Sequence, residues 1–217
     1  MIPIRDTSVA RGFAPATAVI ILLNLVIFVE ELRVGDQFFQ LFAVSPLDVY
    51  RYLTTGTGNI IAIHWEILVS AFMHAGYIHL IGNMIFLSVF GPALEKKIGI
   101  PKFVLFYLAA AFVAFYSHTA VYPTSPVPVV GASGAIAAVM GAYLIFSPKA
   151  KILTILPLLF FIEVIEIPSV IFILVWFVLQ GANGYLSVQS HANVAWFSHI
   201  GGFVMGVVVG IQMKWFH

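Results

Sequence analysis

The 217-residue chain contains no cysteine and few charged residues. The absence of cysteine excludes disulfides, thiolate metal sites and cysteine catalysis. Only 9% of the residues are charged, against roughly 25% in an ordinary soluble domain. The net charge of +1 gives no reason to expect a nucleic-acid partner. Low-complexity tracts and long polar linkers are also missing, so we interpret residues 1–217 as one domain.

Apolar side chains dominate the composition instead. Hydrophobic residues make up 61% of the chain and the mean hydropathy is +1.04, values typical of a polytopic membrane protein. A membrane-spanning helix needs about 20 predominantly apolar residues. Apolar runs of roughly this length predict an all-α bundle of six transmembrane helices. The runs lie near residues 14–31, 75–92, 102–119, 132–147, 168–183 and 196–214.

Two further stretches are apolar or aromatic without predicting a span. Residues 152–162 are too few to cross the membrane and are broken by Pro157, so we expect a re-entrant or interfacial segment there. Pro168 is then expected to open the fifth helix. The connection over residues 33–73 is rich in aromatic side chains, which favour the headgroup level of a bilayer.

The distribution of basic residues predicts the orientation. With a cytoplasmic N-terminus, eight of the ten Lys and Arg residues fall on the inner side and two on the outer side. Short cytoplasmic loops carry an excess of Lys and Arg. Both termini are therefore predicted to be cytoplasmic. Separately, we expect an integral multi-pass protein, with a prokaryotic cytoplasmic membrane as its location.

Four polar side chains are predicted to lie at a similar depth beneath the outer surface. Ser133 falls in the first turn of the fourth helix, His199 near the start of the sixth, and His79 and Asn83 early in the second. The fourth helix is short, so its start should be sunk below the outer boundary. Irregular backbone at that depth is tolerated where it lines a watery cavity. We expect a cavity open to the outside.

Small residues form a stripe on the fourth helix and another on the sixth. Ser133 heads the first stripe and His199 the second. If the stripes pack together, the hydroxyl meets the imidazole, and His199 can act as general base for a Ser133 nucleophile. The other stripe members are Ala137, Gly141, Gly202, Gly206 and Gly210. The alternative is that Gly131, Ala132, Ser133 and Gly134 only cap a buried helix and permit close helix contact.

His79 and Asn83 lie four residues apart and therefore share one face of the second helix. Both can donate hydrogen bonds. Attack of a serine on an amide builds negative charge on the carbonyl oxygen, which donors fixed in advance can stabilise. His79, Asn83 and the backbone N–H of Ser133 are the candidate donors. A polar clamp that only holds helices together is the alternative.

Four motifs on three predicted spans, the second, fourth and sixth, resemble the signatures of rhomboid intramembrane serine proteases, and the resemblance covers about residues 60–212. It implies a six-helix bundle in the lipid bilayer that cuts single-span membrane proteins with a Ser–His dyad, without a metal or other cofactor. Ser133 would be the nucleophile, His199 the base, and His79 and Asn83 the oxyanion partners. His74 would help to shape a water-retaining interior. The motifs are FMHAGYIHLIGN (72–83), GPALE (91–95), GASGA (131–135) and SHIGGFVMG (198–206).

Two positions depart from the family pattern. Trp65 is followed by Glu66 where many members have Trp-Arg, and Ala137 stands where some members place a ring against the catalytic histidine. Another group must therefore orient His199. The resemblance further implies that a substrate enters between the second and fifth helices. The Gly-, Ser- and Asn-rich stretch 181–195 is expected to act as a mobile cap.

Other functions remain open at this point. A transporter could use the same polar residues as a solute path, although no internal repeat supports it. A non-catalytic rhomboid relative would bind membrane proteins without cutting them. Two other classes of intramembrane protease are excluded. A metalloprotease needs two histidines and a glutamate on one helix, an aspartyl protease needs two aspartates within the spans, and the predicted spans contain neither group. We interpret His118, His191 and His217 as interfacial or terminal residues.

Overall fold

The structure is a computed structural model that describes residues 1–7, 12–157, 161–190 and 195–215. Within these ranges the chain forms helices for most of its length, together with three short strands. The strands are β1 (Ile2–Asp6), β2 (Lys151–Pro157) and β3 (Ile162–Pro168). The helices are α1 (Pro15–Val34), α2 (Asp36–Phe42), α3 (Pro46–Thr55), α4 (Ile60–Ser70), α5 (Tyr77–Ile98), α6 (Ile100–Val121), α7 (Ser133–Phe146), α8 (Ser169–Ser190) and α9 (Trp196–Trp215).

Each of the six apolar runs corresponds to one helix, and these helices are α1, α5, α6, α7, α8 and α9. Four of these, α1, α5, α6 and α9, are long and apolar enough to cross a membrane. Helix α7 has 14 residues, which at 1.5 Å per residue gives a length of about 21 Å, against a hydrocarbon core of about 30 Å. The apolar part of α8 covers Ser169–Asn183. The chain is a mostly helical, multi-pass membrane protein.

The segment over residues 152–162 forms part of a β-hairpin. Strands β2 and β3 pair antiparallel, with Ile152 opposite Ile167, and β1 pairs with the other edge of β2. This sheet departs from the all-α expectation, because β-branched residues, mostly Ile, recur through both strands and the N-terminal strand supplies a third partner. Pro168 ends β3 and helix α8 begins at Ser169, so Pro168 does not open the helix.

The connection between α1 and α5 folds into the short helices α2, α3 and α4. Ser45 and Asp48 form a capping box at the start of α3, in which each side chain accepts a hydrogen bond from the other residue's backbone N–H. Helix α4 packs against α6, where Ile67 and Phe115 belong to one small apolar cluster. These contacts hold the connection against α6.

Glu95 joins the end of α5 to the start of α1. Its buried carboxylate accepts hydrogen bonds from the backbone N–H groups of Ala16 and Thr17, at 3.0 and 2.7 Å, and from the Thr17 hydroxyl at 2.6 Å. The first N–H groups of a helix have no partner within the helix, so a carboxylate there satisfies them and complements the helix dipole. A Cβ on Gly91 would lie 2.8 Å from Thr17 Cγ2. The GPALE motif therefore fastens α1 to α5.

Helix α7 lies at the centre of the bundle, and every residue from Gly134 to Tyr143 is buried. Helix α9 packs against it most closely. A Cβ on Gly202 would overlap the carbonyl of Gly134, and a Cβ on Gly206 would overlap the carbonyl of Ala138. The two backbones therefore touch, as small residues permit in membrane bundles.

The residues of α7 that lie directly opposite these glycines form the stripe one position after the predicted one, and Gly141 of the predicted stripe also contacts the backbone of α9. The stripe opposite the glycines consists of Gly134, Ala138 and Ala142, which face Gly202, Gly206 and Gly210. Ser133 consequently lies beside the backbone contact and Gly141 reaches α9 near Phe203. The shift leaves the serine side chain free to face a cavity.

We predict that replacing Gly206 by Ala destabilises the protein by about 1–3 kcal/mol, because the new methyl group meets the rigid backbone of α7. The measurement is the midpoint of thermal unfolding in detergent. Gly181→Ala is the matched control, since nothing lies within 4 Å of a Cβ there and alanine favours a helix. Equal midpoints for Gly206→Ala and the parent chain would contradict the close contact.

Candidate active site

Ser133 and His199 are in direct contact. Ser133 is the first residue of α7, and His199 lies in the first turn of α9. The Ser133 Oγ is 2.7 Å from Nε2 of His199. The contact of α7 with α9 brings the starts of both helices together. The two groups that head the predicted stripes therefore meet.

Gln180 holds the other ring nitrogen of His199. The Gln180 Oε1 lies 2.7 Å from Nδ1 of His199, and the side chain is 8% exposed. An amide oxygen only accepts hydrogen bonds, so Nδ1 is the donor and Nε2 accepts from the serine hydroxyl. Sequence reasoning missed Gln180. The signal was available, because Gln180 carries the only amide, hydroxyl or charged group in residues 170–180, and polar groups in a span commonly have a function.

Two indole rings pack around His199. Trp196 meets the imidazole edge-on, with ring centroids 5.7 Å apart, and Trp176 lies at 6.2 Å. Ala137 is buried and supplies no ring. The group that sequence analysis required to orient His199 is therefore Gln180, assisted by these two rings.

His79 and Asn83 line the same cavity as Ser133, His199 and Gln180, and the cavity has a volume of about 400 Å³. Asn83 is buried, and its Nδ2 has no hydrogen-bond partner among the described residues. A buried donor without a protein partner is available to an oxygen atom of a ligand. Apolar side chains form much of the remaining wall, among them Ile78, Phe86, Ile136 and Trp176.

Gly131 sets the backbone before the serine against His79. Its φ is +126°, a conformation that favours glycine, and its N–H donates to the Ser70 carbonyl at 2.9 Å. A Cβ on Gly131 would lie 2.7 Å from Cε1 and 2.8 Å from Nε2 of the His79 ring. Only glycine lets the His79 ring approach the segment that carries Ser133.

His74 lies behind His79 and is buried. The two ring centroids are 5.0 Å apart, and neither ring nitrogen of His74 has a partner among the described residues. Its backbone N–H donates to the carboxylate of Glu31, at 3.0 and 3.2 Å. Sequence reasoning missed Glu31, because Glu30 and Glu31 are adjacent acids at the end of α1 and the sequence does not separate them. In the structure Glu31 is buried, whereas Glu30 pairs with Arg33.

Several other expectations are changed by the structure. Residues 181–190 continue α8 and are not a loop, and the rest of the expected cap up to residue 194 lies outside the described residues. His118 lies in the last turn of α6, where it is buried beside Tyr122. His191 and His217 lie outside the described residues. Among the residues described, no group of three or more His, Asp or Glu side chains could hold a metal ion.

The fold and the site define a helical, multi-pass membrane protein with a Ser–His pair at a cavity wall. The chain belongs to the rhomboid family, since the Rhomboid domain profile matches residues 63–216. This family includes proteins named rhomboid proteases.

Three relatives show how far the similarity extends. Putative rhomboid protease YdcA of Bacillus subtilis (strain 168) is 31% identical over 109 residues, which cover 48% of this chain and 53% of that protein. Rhomboid protease GluP of the same organism is 39% identical over 80 residues, covering 37% and 15%. RHOMBOID-like protein 4 of Arabidopsis thaliana is 27% identical over 184 residues, covering 85% and 41%. The matched region spans about half the length of these relatives or less.

We predict that Gly131→Ala lowers the reactivity of Ser133 by about tenfold or more, because the added methyl group displaces the His79 ring or the backbone next to it. The measurement is the rate of covalent labelling by a fluorophosphonate, a reagent for activated serines. Gly76→Ala is the control, since its backbone is extended and nothing lies within 4 Å of a Cβ. Unchanged labelling of Gly131→Ala would show that the close approach is dispensable.

Proposed function

We propose that the chain is an intramembrane serine endopeptidase that cuts transmembrane segments of other membrane proteins near the outer boundary. The observation that carries the proposal is the 2.7 Å contact between the Ser133 hydroxyl and His199 Nε2 at the wall of a cavity. Membership of the rhomboid family supports the same activity.

Catalysis would begin when Ser133 Oγ attacks the carbonyl carbon of the scissile amide. His199 Nε2 accepts the hydroxyl proton as the C–O bond forms. The tetrahedral intermediate collapses by breaking the C–N bond, and the imidazolium donates its proton to the leaving amine. A water molecule then hydrolyses the acyl-enzyme, with His199 again acting as the base.

The developing oxyanion needs donors that are already in place. Ser133 opens α7, so its backbone N–H is not used within the helix. The Nδ2 of Asn83 has no partner among the described residues and borders the same cavity. His79 supplies a ring N–H beside the backbone of Gly131. Donors arranged in this way stabilise a transition-state oxyanion most strongly where water is scarce.

The proposed path for the substrate lies between α5 and α8. Aromatic contacts join these helices, with Phe86 6.1 Å from Phe172 and 6.4 Å from Trp176 between ring centroids. Contacts between aromatic rings do not depend on hydrogen bonds, so the two helices can separate and pack together again at these rings. The cavity beyond them has room for part of an extended peptide.

We further propose that α1, α5, α6, α7, α8 and α9 form six spans with both termini in the cytoplasm of a prokaryote. The short α7 then starts below the outer surface, and the sheet of β1, β2 and β3 lies on the inner side. The orientation follows from the excess of Lys and Arg in the inner loops.

The topology is testable because the chain has no cysteine of its own. In intact cells an impermeant maleimide should label Thr55→Cys, which is exposed in the outer connection. Lys151→Cys, exposed at the start of β2, should react only after the membrane is permeabilised. The reverse pattern would invert the topology, and labelling of both variants in intact cells would exclude six spans with cytoplasmic termini.

The catalytic proposal predicts that the detergent-solubilised protein cleaves a model single-span protein that carries helix-breaking residues near its outer end. Ser133→Ala should reduce kcat by about 10³-fold or more, because the attacking atom is removed. Ser88→Ala, at an exposed serine of α5, is the control and should cut at the parental rate. Cleavage by Ser133→Ala at the parental rate would eliminate the nucleophile assignment. No cleavage by the parent would favour a client-binding or transport function.

A further inference from the structure

We propose that Gln180 is a positioning residue that fixes His199 in the tautomer needed to activate Ser133. The inference rests on the proposed serine-protease function. It concerns an interaction between α8 and α9 that the Ser–His pair alone does not include.

Both ring nitrogens of His199 have a hydrogen-bond partner. His199 is bridged on opposite sides of its ring, with Ser133 Oγ 2.7 Å from Nε2 and Gln180 Oε1 2.7 Å from Nδ1. The amide oxygen has lone pairs and no proton, so it requires a proton on Nδ1. A neutral imidazole then has its free lone pair on Nε2, which is the atom that must take the serine proton. Without the acceptor at Nδ1 the ring can adopt the other tautomer, which is inactive as a base.

Placing an amide at position 180 costs free energy of desolvation. Gln180 is 8% exposed and follows an apolar run on α8. Burying an amide without a hydrogen-bond partner is unfavourable, and the contact with His199 supplies that partner. A carboxylate could also accept a hydrogen bond from Nδ1, but burying its negative charge would cost more free energy than burying a neutral amide. The neutral amide orients the ring without that charge.

The face of α8 that carries Gln180 also carries a tryptophan that packs near His199. Trp176 is one helical turn before Gln180 and shares its face. Its indole ring lies 6.2 Å from the imidazole centroid, and Trp196 packs edge-on at 5.7 Å. Ring contacts limit the tilt of the imidazole, but they do not choose which nitrogen carries the proton. The hydrogen bond that Nδ1 of His199 donates to Gln180 Oε1 determines which nitrogen carries the proton.

The test compares Gln180→Leu, which has similar size and no acceptor, with Gln180→Glu, which keeps an acceptor oxygen. We expect Gln180→Leu to lower kcat and the rate of fluorophosphonate labelling by about 10- to 100-fold, with KM changed less than about twofold. Gln180→Glu should remain within about threefold of the parent chain, because either form of the carboxyl group can accept from Nδ1. Leu179→Ala, at the exposed neighbouring position, should match the parent.

A spectroscopic measurement reports the tautomer directly. In ¹⁵N-labelled protein the ring nitrogens of His199, assigned by loss of the signals in His199→Ala, should show a protonated Nδ1 and an unprotonated Nε2. In Gln180→Leu the two signals should move toward a mixture of tautomers. A residue that only fills space would not produce this change.

Several outcomes would overturn the inference. Labelling of Gln180→Leu at the parental rate, or unchanged ¹⁵N signals, would show that the hydrogen bond is not needed. Equal losses in Gln180→Leu and Gln180→Glu with lowered unfolding temperatures would show a packing role. If Gln180→Leu does not fold, Gln180→Met carries the same test with a thioether that accepts only weakly. Absence of labelling that depends on Ser133 in the parent chain would overturn the protease function itself, a result distinct from the others.

Discussion

The backbone contact between α7 and α9 is the constraint on which the site depends. Glycines of α9 lie directly against the carbonyl groups of α7, where any side chain would overlap them. Lipid provides little hydrophobic driving force between helices, so close packing of small residues supplies the attraction instead. The first residues of both helices are brought together at one end of this contact. The hydrogen bond between Ser133 and His199 is therefore a consequence of helix packing.

Three buried acceptors hold the surrounding segments in register. Glu95 binds the start of α1, Glu31 binds the backbone N–H of His74, and Gln180 binds the ring of His199. Inside a membrane protein an unpaired polar group costs several kcal/mol, because no water is available to replace its partner. Each of these contacts joins segments from different helices or loops, so each specifies their relative position more sharply than apolar packing does.

The position of Gln180 connects the chemistry to the proposed path of the substrate. Helix α8 contributes Gln180 to the site and also forms one wall of the path between α5 and α8, where Phe172 and Trp176 meet Phe86. A displacement of α8 that separates Gln180 from His199 would remove the acceptor at Nδ1. If the proposed path opens by movement of α8, that movement would also affect the proposed activation of Ser133, because Gln180 lies on the same helix.

The sequence by itself determined the six apolar runs and four of the polar residues that line the cavity, Ser133, His199, His79 and Asn83, because hydrophobicity gives the runs and helical spacing gives the depth and face of each polar residue. Only the tertiary structure decided which face of α7 meets α9. The stripes that begin at Ser133 and at Gly134 both consist of small residues, so spacing could not separate them. The partner of His199 Nδ1, Gln180, and the pairing of β1 with β2 were likewise decided in three dimensions. These contacts join residues distant in the chain, and local pattern carries no information about which distant group completes a hydrogen bond.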